Sequence, residues 1–286
     1  MVVSRMDTAF GDRRIAFLTQ HGKERVLAPL FLEELGARVE VVHGFDTDSL
    51  GTFTREVPRE GTQLAAARRK AEIAIERSGL ELGLGSEGAF VPGPFGLGSW
   101  NIEVLVLVDR ARAIEVVGRA HAAGRHLHAT VRTREELDAF AARADFPSHA
   151  LVIRPNDERD PRIAKGIATE ADLASAFERA RGAAADGAVF VESELRAHLN
   201  PTRMATIEAA GRDLVARLRC ACPACGAAGF GIVRAVPGLP CGDCGAPTRE
   251  AVADEFACVR CEHVEIRPRA DGPAEASPAV CDYCNP

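Results

Sequence analysis

Lysine is nearly missing from this chain. Of its 35 basic residues only Lys23, Lys70 and Lys165 are lysine, and the rest are arginine. Cysteine is missing from the first 219 positions and then appears nine times. Tryptophan and tyrosine occur once each. No apolar run approaches the roughly eighteen residues of a membrane span, and VLVLV at 104–108 has only the length of a strand. The opening MVVSRMDTAFGDRR carries no apolar stretch of signal-peptide length, so residues 1–12 read as a leader and the chain as cytoplasmic. A basic excess is absent too. The formal net charge of −6 argues against bulk attraction to nucleic acid or to an anionic membrane.

The cysteines that are present form four C-x-x-C pairs: Cys222/Cys225, Cys241/Cys244, Cys258/Cys261 and Cys281/Cys284, with Cys220 left over. Where thiols stay reduced, such clustering points to metal and away from disulfides. A C-x-x-C turn aims two thiolates at one point, and two such turns complete a tetrahedral zinc site. CPACG and CGDCG place glycine after the second cysteine, where a tight knuckle turn wants it. Eight thiolates imply two structural zinc ions, each in a closed site of four cysteines. Iron–sulfur and thioredoxin-like redox chemistry suit four evenly repeated pairs less well. Sequential, nested and crossed sharing of the metals all fit the spacings. From 220 to 286 there are five arginines, no lysine and nine carboxylates, a balance that opposes phosphate-backbone binding and favours a structural or protein-contact role.

Upstream, apolar periodicity alternates between strands and helices. RIAFLT (14–19) and VEVVHG (39–44) read as strands flanking a helix from Glu24 to Leu35 with Gly36 as its stop. A helix from Thr62 to Ser78 is followed by a strand, LGLGSEGAF (82–90), and a hairpin made of NIEVLVLVD and AIEVVGRA. Thr133 and Glu136 form a capping box opening a helix to about Ala144. Strands at 149–155 and 188–193 and helices at 169–181 and 202–219 complete the pattern. The expectation is an α/β domain over 13–219, a mixed sheet with flanking helices, followed by a small ribbon-like double-zinc domain over 220–286.

Ligands of such sheets gather at strand ends. Thr19, Gln20, His21 and Lys23 follow the first strand and lead into a helix N-terminus, a place that attracts anions. Thr62, Arg68 and Lys70 lie at the start of the next helix or on it, with Lys70 sharing a face with Ala66 and Ala67. Ser86, Glu87 and Gly88 sit toward the end of the third strand, where a carboxylate between small residues can hold Mg²⁺ or activate water. Arg196, His198 and Arg203 are further candidates for phosphate or base contact, while Asn200 and Pro201 read as a helix cap and first turn. The bland alternatives are a surface lysine at 23, an amide-capping carboxylate at 87 and a solvated arginine face near 200. Asp46 and Asp48 read as turn formers ahead of metal ligands. Arg55 and Glu56 read as a surface pair, RPNDERDPR (154–162) as a solvated loop, and His121, His126 and His128 as a loop feature.

The stretches TQHGK (19–23), GTQLAAARRKA (61–71) and GSEGAF (85–90), with the hairpin 99–118 and the helix at 198–214, resemble the inosine/xanthosine triphosphate pyrophosphatases. The resemblance implies that fold, and Mg²⁺-dependent cleavage of a nucleoside triphosphate to monophosphate and pyrophosphate. It makes Glu87, Lys23 and Lys70 catalytic, and Thr19, Gln20, His21, Thr62, Arg68, Ser86, Arg196, His198 and Arg203 substrate-binding. Across its whole length the chain is similar to a family of uncharacterised bacterial proteins sharing HGKE, FDTD-x-LGTFTRE, SEG-x-F, RAH-x-NPTRM and the four cysteine pairs. The expected partner is a nucleotide-like small molecule, with a protein held by the zinc module as a further partner. The alternative function is a non-enzymatic adaptor that senses a nucleotide or binds a protein.

Overall fold

The structure, a computed structural model, describes residues 9–50, 61–93, 98–269 and 271–286. The chain divides into two compact units, one comprising residues 1–109 and 117–214, the other 110–116 and 215–286. The expected boundary at 219/220 followed the first cysteine. The observed one lies within the last long helix, because contacts rather than composition delimit a unit.

In the first unit, strands β1 (Arg14–Leu18), β2 (Arg38–Val42), β3 (Leu82–Pro92), β4 (Ser99–Asp109) and β5 (Ile114–Gly124) form a sheet of order β2-β1-β3-β4-β5. Strands β2, β1 and β3 run parallel, and β4 turns back antiparallel to β3. Helix α1 (Glu24–Leu35) makes the β1–β2 crossover and ends on Gly36. Helix α2 (Gln63–Ser78) is capped by Thr62, whose hydroxyl accepts from Ala65 N, and ends on Gly79. Ile73 and Ala74 of α2 pack on Ala16 and Leu18, and Ala67 packs on Val104 and Val106. Burial of these apolar faces is what holds the helix to the sheet.

The expectation of a single mixed sheet needs correction. Strands β6 (His128–Val131), β7 (Leu151–Pro155), β8 (Ala164–Ile167) and β9 (Val189–Ser193) make a separate antiparallel sheet of order β6-β9-β7-β8. Helices α3 (Arg134–Arg143), opened by the Thr133 capping box, and α4 (Glu170–Ala183) cover one of its faces. Leu137, Phe140, Leu173 and Phe177 bury there against Val131, Leu151, Ile153, Ile167, Val189 and Val191. His121 and His128 thus lie on strands, not in a loop, and Lys165 lies on β8. The loop before it is ordered by Asp160, which accepts from Asn156 and Arg162. Helix α5 (Pro201–Arg219) starts where expected: Asn200 Oδ1 accepts from Arg203 N at 2.9 Å.

In the second unit, β10 (Gly231–Pro237), β11 (Ala251–Ala257) and β12 (Val264–Pro268) form an antiparallel meander. No described helix is long and apolar enough to cross a membrane.

Candidate functional site

The register of β1 on β3 reaches Leu84, so Ser86, Glu87 and Gly88 continue past the end of β1. Side chains alternate along a strand. Ser86 and Gly88 therefore face one side and Glu87 the other. On the Glu87 side, Lys70 of α2 donates to Glu87 Oε2 at 2.6 Å, and both are buried. On the Ser86 side, Lys23, just ahead of α1, donates to Ser86 Oγ at 3.0 Å. Glu103 on β4 is the register partner of Gly88 and shares its face. Arg203 Nε donates to Glu103 Oε1 at 2.7 Å, with both residues fully buried. A β-carbon at Gly88 would stand 2.4 Å from both Arg203 and Glu103, so only glycine allows this pair to lie against the strand.

Three cations and two carboxylates are thus buried around β3, Lys70 with Glu87 on one side and Lys23, Arg203 and Glu103 on the other. Burial pushes the Lys23 ammonium down to about 7; Arg203 and Lys70 act the same way, against Glu103 and Glu87. Burial alone would raise the Glu103 carboxyl, yet Arg203 and Lys23, with hydrogen bonds from Arg203 and Asn101, hold it below its ordinary value. Asn101 Nδ2 donates to Glu103 Oε1 at 3.0 Å. Two buried polar atoms of this cluster, Glu103 Oε2 and Asn101 Oδ1, have no hydrogen-bond partner among the described residues, and neither has Thr19 Oγ1, just after β1. Unsatisfied buried oxygens cost about 1–3 kcal/mol each, so they mark places where a ligand is missing or strain is tolerated.

The other expected residues divide. His21 stacks on His198 at 5.4 Å, and burial followed by Lys23 drives its imidazole down to about 3, so it is neutral at pH 7. Arg196 is held by the buried Glu194 carboxylate at 2.7 Å, close behind Arg203 in the chain. Gln20 accepts from Thr47 and donates to Phe45 O, tying the loop after β2. It lines, with Thr19, His43 and Asp46, a cleft of about 420 Å³ that does not include the buried lysines. Thr62 is a helix cap, and Arg68 is half-buried on α2. Arg55, Glu56 and the side chain of Asp48 lie outside the described residues. Glu103 and Asn101 were not singled out from sequence. The signal was a carboxylate set inside the apolar run IEVLVLV, where a buried strand has no ordinary use for one.

In the second unit the cysteines gather as two groups, Cys222/Cys225/Cys258/Cys261 and Cys241/Cys244/Cys281/Cys284. Both can hold a metal ion. Sulfur–sulfur separations of 3.8 Å (Cys222 to Cys261), 3.6 Å (Cys225 to Cys258), 3.8 Å (Cys241 to Cys284) and 3.7 Å (Cys244 to Cys281) recur across them. Four thiolates about 2.3 Å from one zinc stand about 3.8 Å apart, so the donor set fits a tetrahedral ion. The first pair shares a site with the third and the second with the fourth, which selects the crossed arrangement. Gly226 and Gly245 have φ of 72° and 70°, and their amides donate to Cys222 O and Cys241 O. That left-handed turn brings each pair of thiols together.

A family model described as a domain of unknown function (DUF6671) matches residues 70–286. The chain belongs to this family. The match begins at Lys70 and takes in Ser86, Glu87, Glu103, Arg203 and all nine cysteines, while Thr19 to Lys23 precede it. No curated protein and no solved structure matches the chain.

Proposed function

We propose that the first unit is a Mg²⁺-dependent pyrophosphohydrolase acting on a nucleoside triphosphate, non-canonical ones included, on the fold of the triphosphate pyrophosphatases. The observation that carries this reading is the uneven charge: three buried cations face two carboxylates, one of which has an unpartnered oxygen. Buried charge without a full complement is costly, and a polyphosphate with its cation would satisfy both deficits. Lys23 and Arg203 bind phosphate oxygens from the Ser86 side of the sheet. Lys70 orients Glu87, which takes the proton of a water attacking the α-phosphorus as pyrophosphate departs. Glu103, whose Oε2 has no partner among the described residues, would hold Mg²⁺, which when bound supplies charge neutralisation to the phosphates. In the second unit the two cysteine groups hold structural zinc.

The test is pyrophosphate release from a panel of canonical and deaminated nucleoside triphosphates with Mg²⁺. Turnover of at least one is expected, falling by about two orders of magnitude or more per folded molecule in Glu87→Gln. Full activity in that variant, or none in the parent across the panel, removes the reading. A second reading rests on a different observation. Among the described residues, eight of the ten exposed large apolar side chains lie in the second unit, Val264, Ile266 and Tyr283 included. That surface suits a protein-binding adaptor, which would bind nucleotide or partner without turnover.

A further inference from the structure

The meander of the second unit has two edges, and they differ. At β10 the ladder carries a bulge between Ile232 and Arg234, and Arg217 Nη1 donates to Ile232 O at 3.0 Å. A bulge and a covering side chain are ordinary ways to close an edge. Strand β12 pairs with β11 alone, and among the described residues nothing beyond β11 bonds its backbone. Val264, Ile266, Arg267 and Pro268 are all exposed there. The second edge is open.

The ladder determines what that edge offers. Cys258 N donates to His263 O at 3.0 Å, and bonded rungs alternate along antiparallel strands. His263, Glu265 and Arg267 therefore turn their backbone groups toward β11, while Val264, Ile266 and Pro268 turn theirs outward. Outward residues can bond only outward residues, so a second β12 laid antiparallel has three registers that overlap by more than one residue. Pairing Val264 with Ile266 sets Glu265 against its own copy, and pairing Ile266 with Pro268 does the same to Arg267. Both juxtapose like charges. Pairing Ile266 with itself sets each Glu265 against the other copy's Arg267 and each Val264 against a Pro268. One face of that seam is wholly apolar, and the other carries two opposite-charge pairs. Arg267 donates to Glu265 of its own strand through Nε and Nη2, at 2.8 and 2.6 Å, which leaves Nη1 for the carboxylate across the seam. Its guanidinium already lies over the Phe256 ring at 4.6 Å, so little side-chain freedom is lost on pairing.

We propose that the second unit joins two copies of this chain: β12 pairs antiparallel with β12 of a second copy about a twofold axis at Ile266, making one six-stranded sheet of two meanders. A twofold contact requires a surface that complements itself, and the sequence Glu-Ile-Arg does so about its central residue. Charges and proline on an edge usually forbid pairing. Here the charges forbid every register but one, and Pro268, lacking an N–H, stops the ladder from running on.

Analytical ultracentrifugation of the 286-residue chain as purified should show a monomer–dimer equilibrium at loadings up to about 100 μM, the reach of a weak interface. Glu265→Arg gives β12 two arginines, and Arg267→Glu gives it two glutamates. Each variant alone should dimerise about tenfold or more weakly, because the twofold counts every like-charge contact twice. Mixed in equal amounts, the two should associate with near-parental affinity. The double variant Glu265→Arg/Arg267→Glu should dimerise by itself, which also shows that the reversed charges leave the unit folded. A parent that stays monomeric across the range, even one whose edge pairs with a different protein, overturns the proposal. So does a dimer indifferent to both single changes, or a loss that neither mixing nor the double variant restores.

Discussion

The two units are stabilised by opposite means. The first buries phenylalanine, leucine, isoleucine and valine on both of its sheets and tolerates charged groups deep inside, provided they meet partners. The second leaves Val233, Val264 and Ile266 half or more exposed and buries few large side chains, Phe230 and Leu239 among them. A unit so small rarely closes an adequate core by apolar burial alone. Its two cysteine groups can hold metal, and metal bound there would contribute its binding energy as folding energy. Cores and metals are thus interchangeable as sources of order but not as sources of chemistry. Closed four-thiolate sites leave no position for a substrate, while the first unit keeps buried oxygens without a donor among the described residues.

That contrast can be broken most forcibly through the metal. Purified protein should contain about two zinc ions per chain, and Cys241→Ser should lose roughly one. Hydrogen exchange should then rise across 215–286 while the strands of the first unit keep their protection. Elemental analysis showing iron, or a metal-free chain with a protected second unit, would reverse the assignment.

A smaller effect tests the first unit's own economy. Arg203→Met strands the Glu103 carboxylate in the interior and should cost about 3–5 kcal/mol in denaturant unfolding. Adding Glu103→Leu should recover much of that loss, because an apolar pair needs no ionic partner. If the single variant is as stable as the parent, the pair is not desolvated in solution.

The smallest effect is a pH dependence. Lys23 titrates near 7 in the folded chain against 10.5 in its ordinary state. Between these values the unfolded chain binds more protons, so this group makes stability rise with pH. Lys23→Met should therefore exceed the parent in melting temperature most below pH 7, and the gap should close as pH climbs toward 10.5. A gap that stays constant across that range would show that Lys23 is solvated.

The elements of the α/β part were readable because their periodicity is strong and their ends are marked, by Gly36, Gly79, Thr133 and Asn200. Of the second sheet only β7 and β9 were readable, since β6 and β8 are four residues each and β8, AKGI, has no alternation that local propensity can tell from a loop. Lys23, Lys70 and Glu87 stood out by position, and the structure pairs Lys70 with Glu87 and sets Lys23 on Ser86. Glu103 was passed over although it interrupts an apolar run, because its place shows only once the register sets it opposite Gly88. The cysteine pairs were plain in sequence but their grouping was not, as the spacings admit every pairing.

Crossed sharing has a mechanical consequence. Were the metals shared in sequence, one peptide-bond cut between the second and third cysteine pairs would leave two pieces joined by no ion. With the first pair grouped with the third and the second with the fourth, and a metal in each group, any single cut between pairs would leave the fragments bridged by at least one metal, and a cut in the middle would leave them bridged by both. A protease that nicks β11 would thus produce two bands on a denaturing gel and one particle in solution, until a chelator lets the halves part.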